Sequence, residues 1–175
     1  MTDGRRARGE QRRADLVAAA AALVLEAGPT GVSHRAVAAR AGASLSATTY
    51  YFADLDELLA AAGAELAATW AAHARATVEA ADAPPAELLV RAVLPAGDAQ
   101  HVRGHYAHLV GAGAVPALAR AYAAGRADLD AVIAGLGLPW PPAVLVALVD
   151  GAAVAALSEG RPVAAHVRGV VSHAL

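Results

Sequence analysis

Residues 33–59 read SHRAVAARAGASLSATTYYFADLDELL, and the punctuation inside this stretch decides the fold. Ser33 is a capping residue in front of a short helical segment that ends near Arg40. Gly42 supplies a backbone able to take the left-handed conformation of a sharp turn, and Ser44 caps a second short segment ending near Tyr51. Asp54 with Glu57 three residues later has capping-box spacing and opens a longer helix. Two short helices packed across a tight turn need a small residue where their backbones meet and apolar residues facing the preceding helix. Ala38, Gly42 and the set Val37, Ala41, Leu45 and Thr48 supply these. Ser44, Ser46, Ala47, Thr49 and Tyr50 are then left on the outer side of the second segment, where small and hydroxylic groups suit base edges, thymine methyls and phosphate oxygens.

Upstream, Leu16, Ala20, Leu23, Val24 and Ala27 recur at three and four residues and mark the buried face of a helix over about residues 10–27, which Gly28 and Pro29 stop. Downstream, Leu55, Leu58, Leu59, Ala62, Leu66 and Trp70 form one stripe of a helix running to about residue 81. At ~1.5 Å per residue that helix is roughly 40 Å long, enough to join two domains. Asp82-Ala83-Pro84-Pro85 breaks it. Further helices are expected at about 86–94, 98–112, 116–134, 142–159 and 162–174, with Pro116, Pro142 and Pro162 in first turns. No segment alternates at period two, so no strand is expected.

Composition agrees with helix packed on helix. Hydrophobic residues make up 57% of the 175, but aromatics only 4%, so Ala, Val and Leu carry the apolar content. The absence of Cys excludes a disulfide scaffold, a thiolate nucleophile and cysteine-ligated metal sites. Arg5, Arg6 and Arg8 are followed by charged residues and not by the apolar stretch and cleavage site of a secretory signal, and the run 143–157 is interrupted by Asp150 and too short for a bilayer. A cytoplasmic protein without a membrane span is expected. Net charge is −2, but it is unevenly spread. Residues 1–53 hold seven Arg against four carboxylates (+3), and residues 54–175 hold seven against twelve (−5). A basic head on an acidic body fits contact with phosphate at one end.

The stretch 33–44, followed by Thr49-Tyr50-Tyr51-Phe52-Ala53-Asp54-Leu55-Asp56-Glu57-Leu58-Leu59, resembles the amino-terminal signature of the TetR family, and the likeness covers about residues 10–60. The resemblance implies an all-α chain of about nine helices: a three-helix helix-turn-helix DNA-binding domain at 1–56, then a helical bundle at 57–175 for ligand sensing and dimerisation. It places a recognition helix at about 44–51 in the major groove of an operator. Ser33 falls at the family's phosphate-contacting helix start, and Tyr50 and Tyr51 at its aromatic and aromatic/His positions. Thr49 replaces the family's usual first Tyr, and Leu55 stands where a phosphate-binding Lys is common. Arg5, Arg6, Arg8, Arg12 and Arg13 are candidates to replace that clamp, some as a flexible arm; a solvated terminus is the other reading of these arginines. The candidate DNA contacts are Arg12, Ser33, His34, Arg35, Ser44, Ser46, Ala47, Thr48, Thr49, Tyr50 and Tyr51, with Tyr51 and Phe52 also readable as core.

In the body, residues 144–157 are apolar almost all round, which asks for burial on more than one side. Gly151, Ala152 and Ala155 admit a close partner backbone, and Val163, Val167 and Val170 give the last helix its own apolar face. With Leu145 and Leu148 these form the expected interface of a homodimer, a four-helix arrangement usual in the family it resembles. Asp150 reads as an edge residue, a cap at a kink or a partnered charge. His101, His105 and His108 share a face with Tyr106 nearby, readable as pocket lining, as a solvated or packing face, or as part of a metal site that lacks further ligands. Trp70, His73, His101, His105, Tyr106, His108 and Tyr122 are the candidate residues for an unidentified small-molecule effector. No cofactor and no metal are expected. A nucleophile elbow, a phosphate-binding Gly loop and an HExxH helix are all missing, so no enzyme is expected. A helical interaction module without DNA binding is the alternative to a repressor.

Overall fold

The computed structural model describes residues 3–80 and 82–175. Among these residues it contains nine α-helices, one 3₁₀ turn and no strand: α1 (Asp3–Ala27), the 3₁₀ turn (Pro29–Gly31), α2 (His34–Arg40), α3 (Leu45–Tyr51), α4 (Leu55–Ala80), α5 (Pro85–Val93), α6 (Ala99–Ala112), α7 (Pro116–Ala134), α8 (Pro142–Ser158) and α9 (Val163–Ala174). The chain is all-α. The described residues form two compact units, one of those up to 67 with 107–124, the other of those within 68–106 with 125–175, so that α4, α6 and α7 each contribute to both.

The first unit is organised by the capping signals of residues 33–59. Ser33 Oγ accepts from Ala36 N at 3.2 Å and Ser44 Oγ from Ala47 N at 3.2 Å, satisfying amides that the first turns of α2 and α3 leave open. Between the two helices Gly42 has φ +58°, and Ala43 N donates back to Ala38 O at 2.9 Å, closing α2 with the six-residue bond that a left-handed glycine permits. Asp54 Oδ1 accepts from Glu57 N at 2.8 Å while Glu57 Oε2 accepts from Ala53 N at 2.7 Å, so Asp54 caps α4 and Glu57 reaches back one residue beyond the cap, a variant of the capping box. Leu16, Ala20 and Val24 of α1, Val37 of α2, Phe52, Leu58 and Leu59 are buried and share this unit's core. Each large side chain enclosed in this way contributes about 2 kcal/mol. Within the same unit α4 and α7 approach closely at Gly63, where an added Cβ would lie 2.8 Å from Ala121 Cβ and Leu118 Cδ1. Only glycine allows that spacing.

Helix α1 begins seven residues earlier than its apolar stripe suggests, because Arg, Ala, Glu and Gln are good helix formers and Arg6–Glu10 (2.9 Å) and Gln11–Asp15 (2.9 Å) pair at i, i+4. The arginines at 5, 6 and 8 are therefore helical, which corrects the flexible-arm expectation. The second unit is built on α8, which packs along α9, with α5 against both. Leu88, Leu89 and Val90 of α5, Leu145, Val146, Val149, Ala152, Ala153 and Ala156 of α8, and Val167 and Val171 of α9 fill its interior. Among the described residues no helix is long and apolar enough to cross a membrane.

Candidate functional site

Helix α3 presents its hydroxyls outward. Tyr50 is 82% exposed, and Ser44, Ser46 and Thr49 are exposed beside it. The Ser44 and Ser46 hydroxyls share a 2.9 Å hydrogen bond, Thr49 Oγ1 donates to Ser46 O at 3.3 Å, and the Tyr50 ring stands edge-on to Tyr51 at 5.0 Å. These contacts fix side-chain directions on a short helix, which lowers the entropy lost when the face meets a ligand. Ala47 is half-buried at the margin of the face.

Thr48 is not part of it. It is fully buried and its Oγ1 donates to Leu45 O at 2.8 Å, so as a groove contact Thr48 is corrected to a core residue. Its burial agrees with its place among the inward-facing residues of the turn, and Leu45 is the one that departs from that set. Expected to face α1, it is 46% exposed at the first position of α3, where an apolar side chain suits a thymine methyl. Tyr51 is half-buried, with its hydroxyl against α1 at Gly9, and Phe52 is wholly buried beneath the Arg13 guanidinium, 4.9 Å from the ring centroid. Tyr51 thus braces α3 from behind.

Around α3, Ser33 and Arg35 are exposed and His34 is half-buried, its Nδ1 enclosed without a hydrogen-bond partner among the described residues. Arg12 is exposed, with Asp15 at 4.0 Å. Arg40 is committed elsewhere: its two terminal nitrogens donate to Glu26 Oε2 and Oε1 at 2.5 and 2.7 Å, tying the end of α2 to α1. That bidentate bond lowers the Glu26 pKa and raises that of Arg40. The outcome is a surface with exposed guanidinium groups, hydroxyls and one projecting phenol, the donor set used on phosphates and base edges.

The aromatic candidates of the body fall into separate groups. Trp70 lies edge-on to His105 at 5.4 Å, His105 edge-on to Tyr106 at 5.2 Å, and the Tyr106 hydroxyl donates to Asp150 Oδ1 at 3.1 Å. Asp150 is therefore a partnered carboxyl on α8. Burial raises its pKa, against the Tyr106 hydrogen bond and the attraction of Arg126, which pull it down. Burial and then the Asp150 charge push the Tyr106 phenol well above its usual range. Sequence reasoning did not join Asp150 to Tyr106, since 44 residues separate them and neither stands in a motif. His73 is exposed on α4 and its Nε2 donates to the Arg91 carbonyl at 3.2 Å. His101, His105 and His108 pass from exposed through half-buried to buried along α6, and the His108 ring stands edge-on to Tyr122 at 6.2 Å. Burial raises the Tyr122 phenol. Among the described residues no group of three or more His, Asp or Glu is placed to hold a metal.

On α8 and α9 the single chain already encloses part of the expected interface. Leu145, Ala152 and Val167 are buried within it and offer a partner no surface, which corrects their assignment. Leu148, Ala155, Val163 and Val170 are half-buried and Gly151 is exposed. Val144 and Val154, 48% and 44% exposed, continue the outer stripe of α8 at the spacing 144, 147, 151, 154.

No family model matches the chain. It is similar to the multidrug binding protein EbrR: 31% identical to the chain solved with imidazole, covering 93% of each, TM-score 0.62, and 29% identical to the chain solved with ethidium, covering 93% of this chain and 97% of that one, TM-score 0.68. A transcriptional regulator from Rhodococcus sp. Rha1 is 30% identical over 92% of this chain and 94% of its own, TM-score 0.67. The HTH-type transcriptional regulator BetI of Burkholderia thailandensis is 43% identical over 88 residues, which is 50% of this chain, so the chain spans less than half (44%) of that curated relative. The fold is also that of a Mesorhizobium loti chain assigned to the TetR family, 17% identical, TM-score 0.70. With capped α2 and α3 crossing at Gly42, hydroxyls turned outward and relatives matched along nearly the whole chain, the protein belongs to the TetR family of transcriptional regulators.

Proposed function

We propose that the chain is a non-enzymatic cytoplasmic repressor that binds a near-palindromic operator as a homodimer and releases it when a small molecule occupies the body. Residues 1–56 act as the reading head and 57–175 as the sensing and pairing body. The observation that carries this is the outward face of α3: Tyr50 projects into solvent beside Thr49, Ser44 and Ser46, with Ser33, Arg35 and Arg12 as exposed neighbours for phosphate. Pairing is supported by the exposed apolar stripe of α8, Val144, Ala147, Gly151 and Val154, continued by half-buried Leu148, Ala155 and Val170. Two heads about 34–36 Å apart would read successive major-groove faces, which is why a dimer and a palindrome belong together. Small-molecule control is supported by likeness to EbrR, whose structures hold imidazole and ethidium.

A gel shift on the DNA flanking the chain's own gene tests the proposal. Specific retardation that a competitor of unrelated sequence does not remove is expected. Eight phosphate contacts per dimer, each releasing about 0.9 counterion, give a log–log salt slope near −7. A flat salt response, or equal affinity for every fragment, rejects it.

A further inference from the structure

We propose that the groove of the second unit formed by α5, the start of α6 and the α8–α9 junction binds an amphiphile with an anionic head and an aliphatic body, such as a medium-chain carboxylate. This rests on the effector reading above and adds the class of ligand. The groove has a volume of about 850 Å³, within the range of small-molecule sites. Its walls are Val90, Leu94, Val102, Leu157 and Val163, with Ala and Pro between them; among the described residues no Phe, Tyr or Trp lines it, and its one ring is the imidazole of His73, held at the Arg91 carbonyl. A branched aliphatic wall accepts a hydrocarbon chain but gives a flat aromatic ligand no phenyl, phenol or indole face to stack on.

The charge around these walls has one sign. Arg91, Arg103, Arg161 and Arg168 all line the groove, and no carboxylate does. Residues 54–175 carry a net −5, yet four of their seven arginines gather here. Two carboxylates behind the rim offset part of it. Glu87 accepts from Arg91 Nε at 2.8 Å and from Arg168 Nε at 3.1 Å, which holds its carboxyl below the usual range, and Glu159 pairs with Arg161. Arg103 meets no carboxylate among the described residues, so the rim keeps surplus positive charge with Arg103 as its open donor. Such a rim forms charge-assisted, forked hydrogen bonds with a carboxylate or phosphate and repels a cation.

Calorimetric titration of the full chain tests this, using three probes below their micellar concentrations: dodecanoate, dodecyl phosphate and dodecyltrimethylammonium, which share a tail and differ in the head. Dodecanoate and dodecyl phosphate are expected to bind at one site per chain, at least tenfold tighter than the ammonium. Arg103→Ala should weaken dodecanoate at least tenfold without moving the melting temperature of the ligand-free protein, and Arg103→Lys should restore part of the affinity. Equal affinity for the cation, or a variant that binds as the parent does, overturns the assignment. The operator gel shift, repeated with dodecanoate, separates the two proposals. Normal DNA binding with no uptake of dodecanoate overturns the groove alone, whereas one-site uptake that leaves the DNA complex intact upholds the groove and rejects its role as the effector site.

Discussion

Helices α3 and α8 spend their surfaces in opposite ways. The seven residues of α3 bury one side chain completely, Thr48, and turn hydroxyls and a phenol to solvent. The seventeen residues of α8 bury six apolar side chains and still leave Val144 and Val154 outside. Exposed polar groups lose nothing in water and wait for a hydrated, charged partner such as a phosphate backbone. Exposed branched apolar groups at helical spacing gain only when another apolar surface covers them. On the proposed reading the first helix meets a nucleic acid and the second a partner chain, and each assignment is open to a direct challenge.

The largest effect is expected on the polar face. On the proposed reading, Thr49→Ala combined with Tyr50→Ala removes two contacts from each of two heads; at about 1 kcal/mol or more apiece, operator affinity should fall at least about a hundredfold. Fluorescence anisotropy measures the loss, and light scattering should show an unchanged dimer. If affinity stays within a few-fold, α3 is not the reading helix. On the apolar face, Val154→Glu puts a charge where a partner must be dry and should weaken dimerisation by roughly a hundredfold, with operator binding lost in step. Leu145→Ala, about two and a half turns earlier and so on the inner side, should instead cost about 2–5 kcal/mol of folding stability through a cavity, with the proposed dimer surface itself intact. A variant at 154 that stays dimeric at low micromolar concentration moves the interface elsewhere.

How much of each helix was legible beforehand follows from the range of the forces involved. The caps at Ser33, Ser44 and Asp54 and the turn at Gly42 act within three to five residues, so the elements of the head could be placed from the sequence alone, as could the proline-marked starts of α7 and α8. The rotational phase of α3 could not. A helix of two turns has too few periods to show that Leu45, grouped with Thr48 as inward, faces out, and tertiary packing buried the polar residue, whose hydroxyl bonds within its own turn. Residues 144–157 hid their inner face for a different reason: an all-apolar helix has no polar side to point outward, so Leu145 and Ala152 were indistinguishable from Val144 and Val154 until α5 and α9 were in place. The arginine-rich rim of the α5–α9 groove was equally invisible, because its members lie on four separate segments.

A smaller effect sharpens the head. Ser44→Ala removes the acceptor of the Ala47 amide and the hydroxyl partner of Ser46 together, and loss of such a cap costs about 1 kcal/mol. Denaturant unfolding reads that loss. If operator affinity falls by far more than the helix loses in stability, Ser44 touches the DNA as well as starting the helix. If the two losses match, it serves only as a cap.

The smallest expected effect tests whether the one acid of α8 belongs to structure or to ligand. Burial raises the Asp150 pKa in the folded chain above its value in the unfolded one. A carboxyl of that kind favours the folded state when protonated, so its contribution is fully present below the unfolded pKa and is lost as pH rises through the raised folded value. Asp150→Asn keeps a carbonyl oxygen for the Tyr106 hydroxyl and never ionises. The variant should therefore melt higher than the parent at neutral pH, with the gap closing as both are acidified past the folded pKa. Thermal melts at a series of pH values measure this. A variant less stable than its parent at neutral pH would mean that the ionised carboxylate is net favourable through Arg126 and Tyr106, which would make the Tyr106–Asp150 pair a structural ion site and not a neutral joint between α6 and α8.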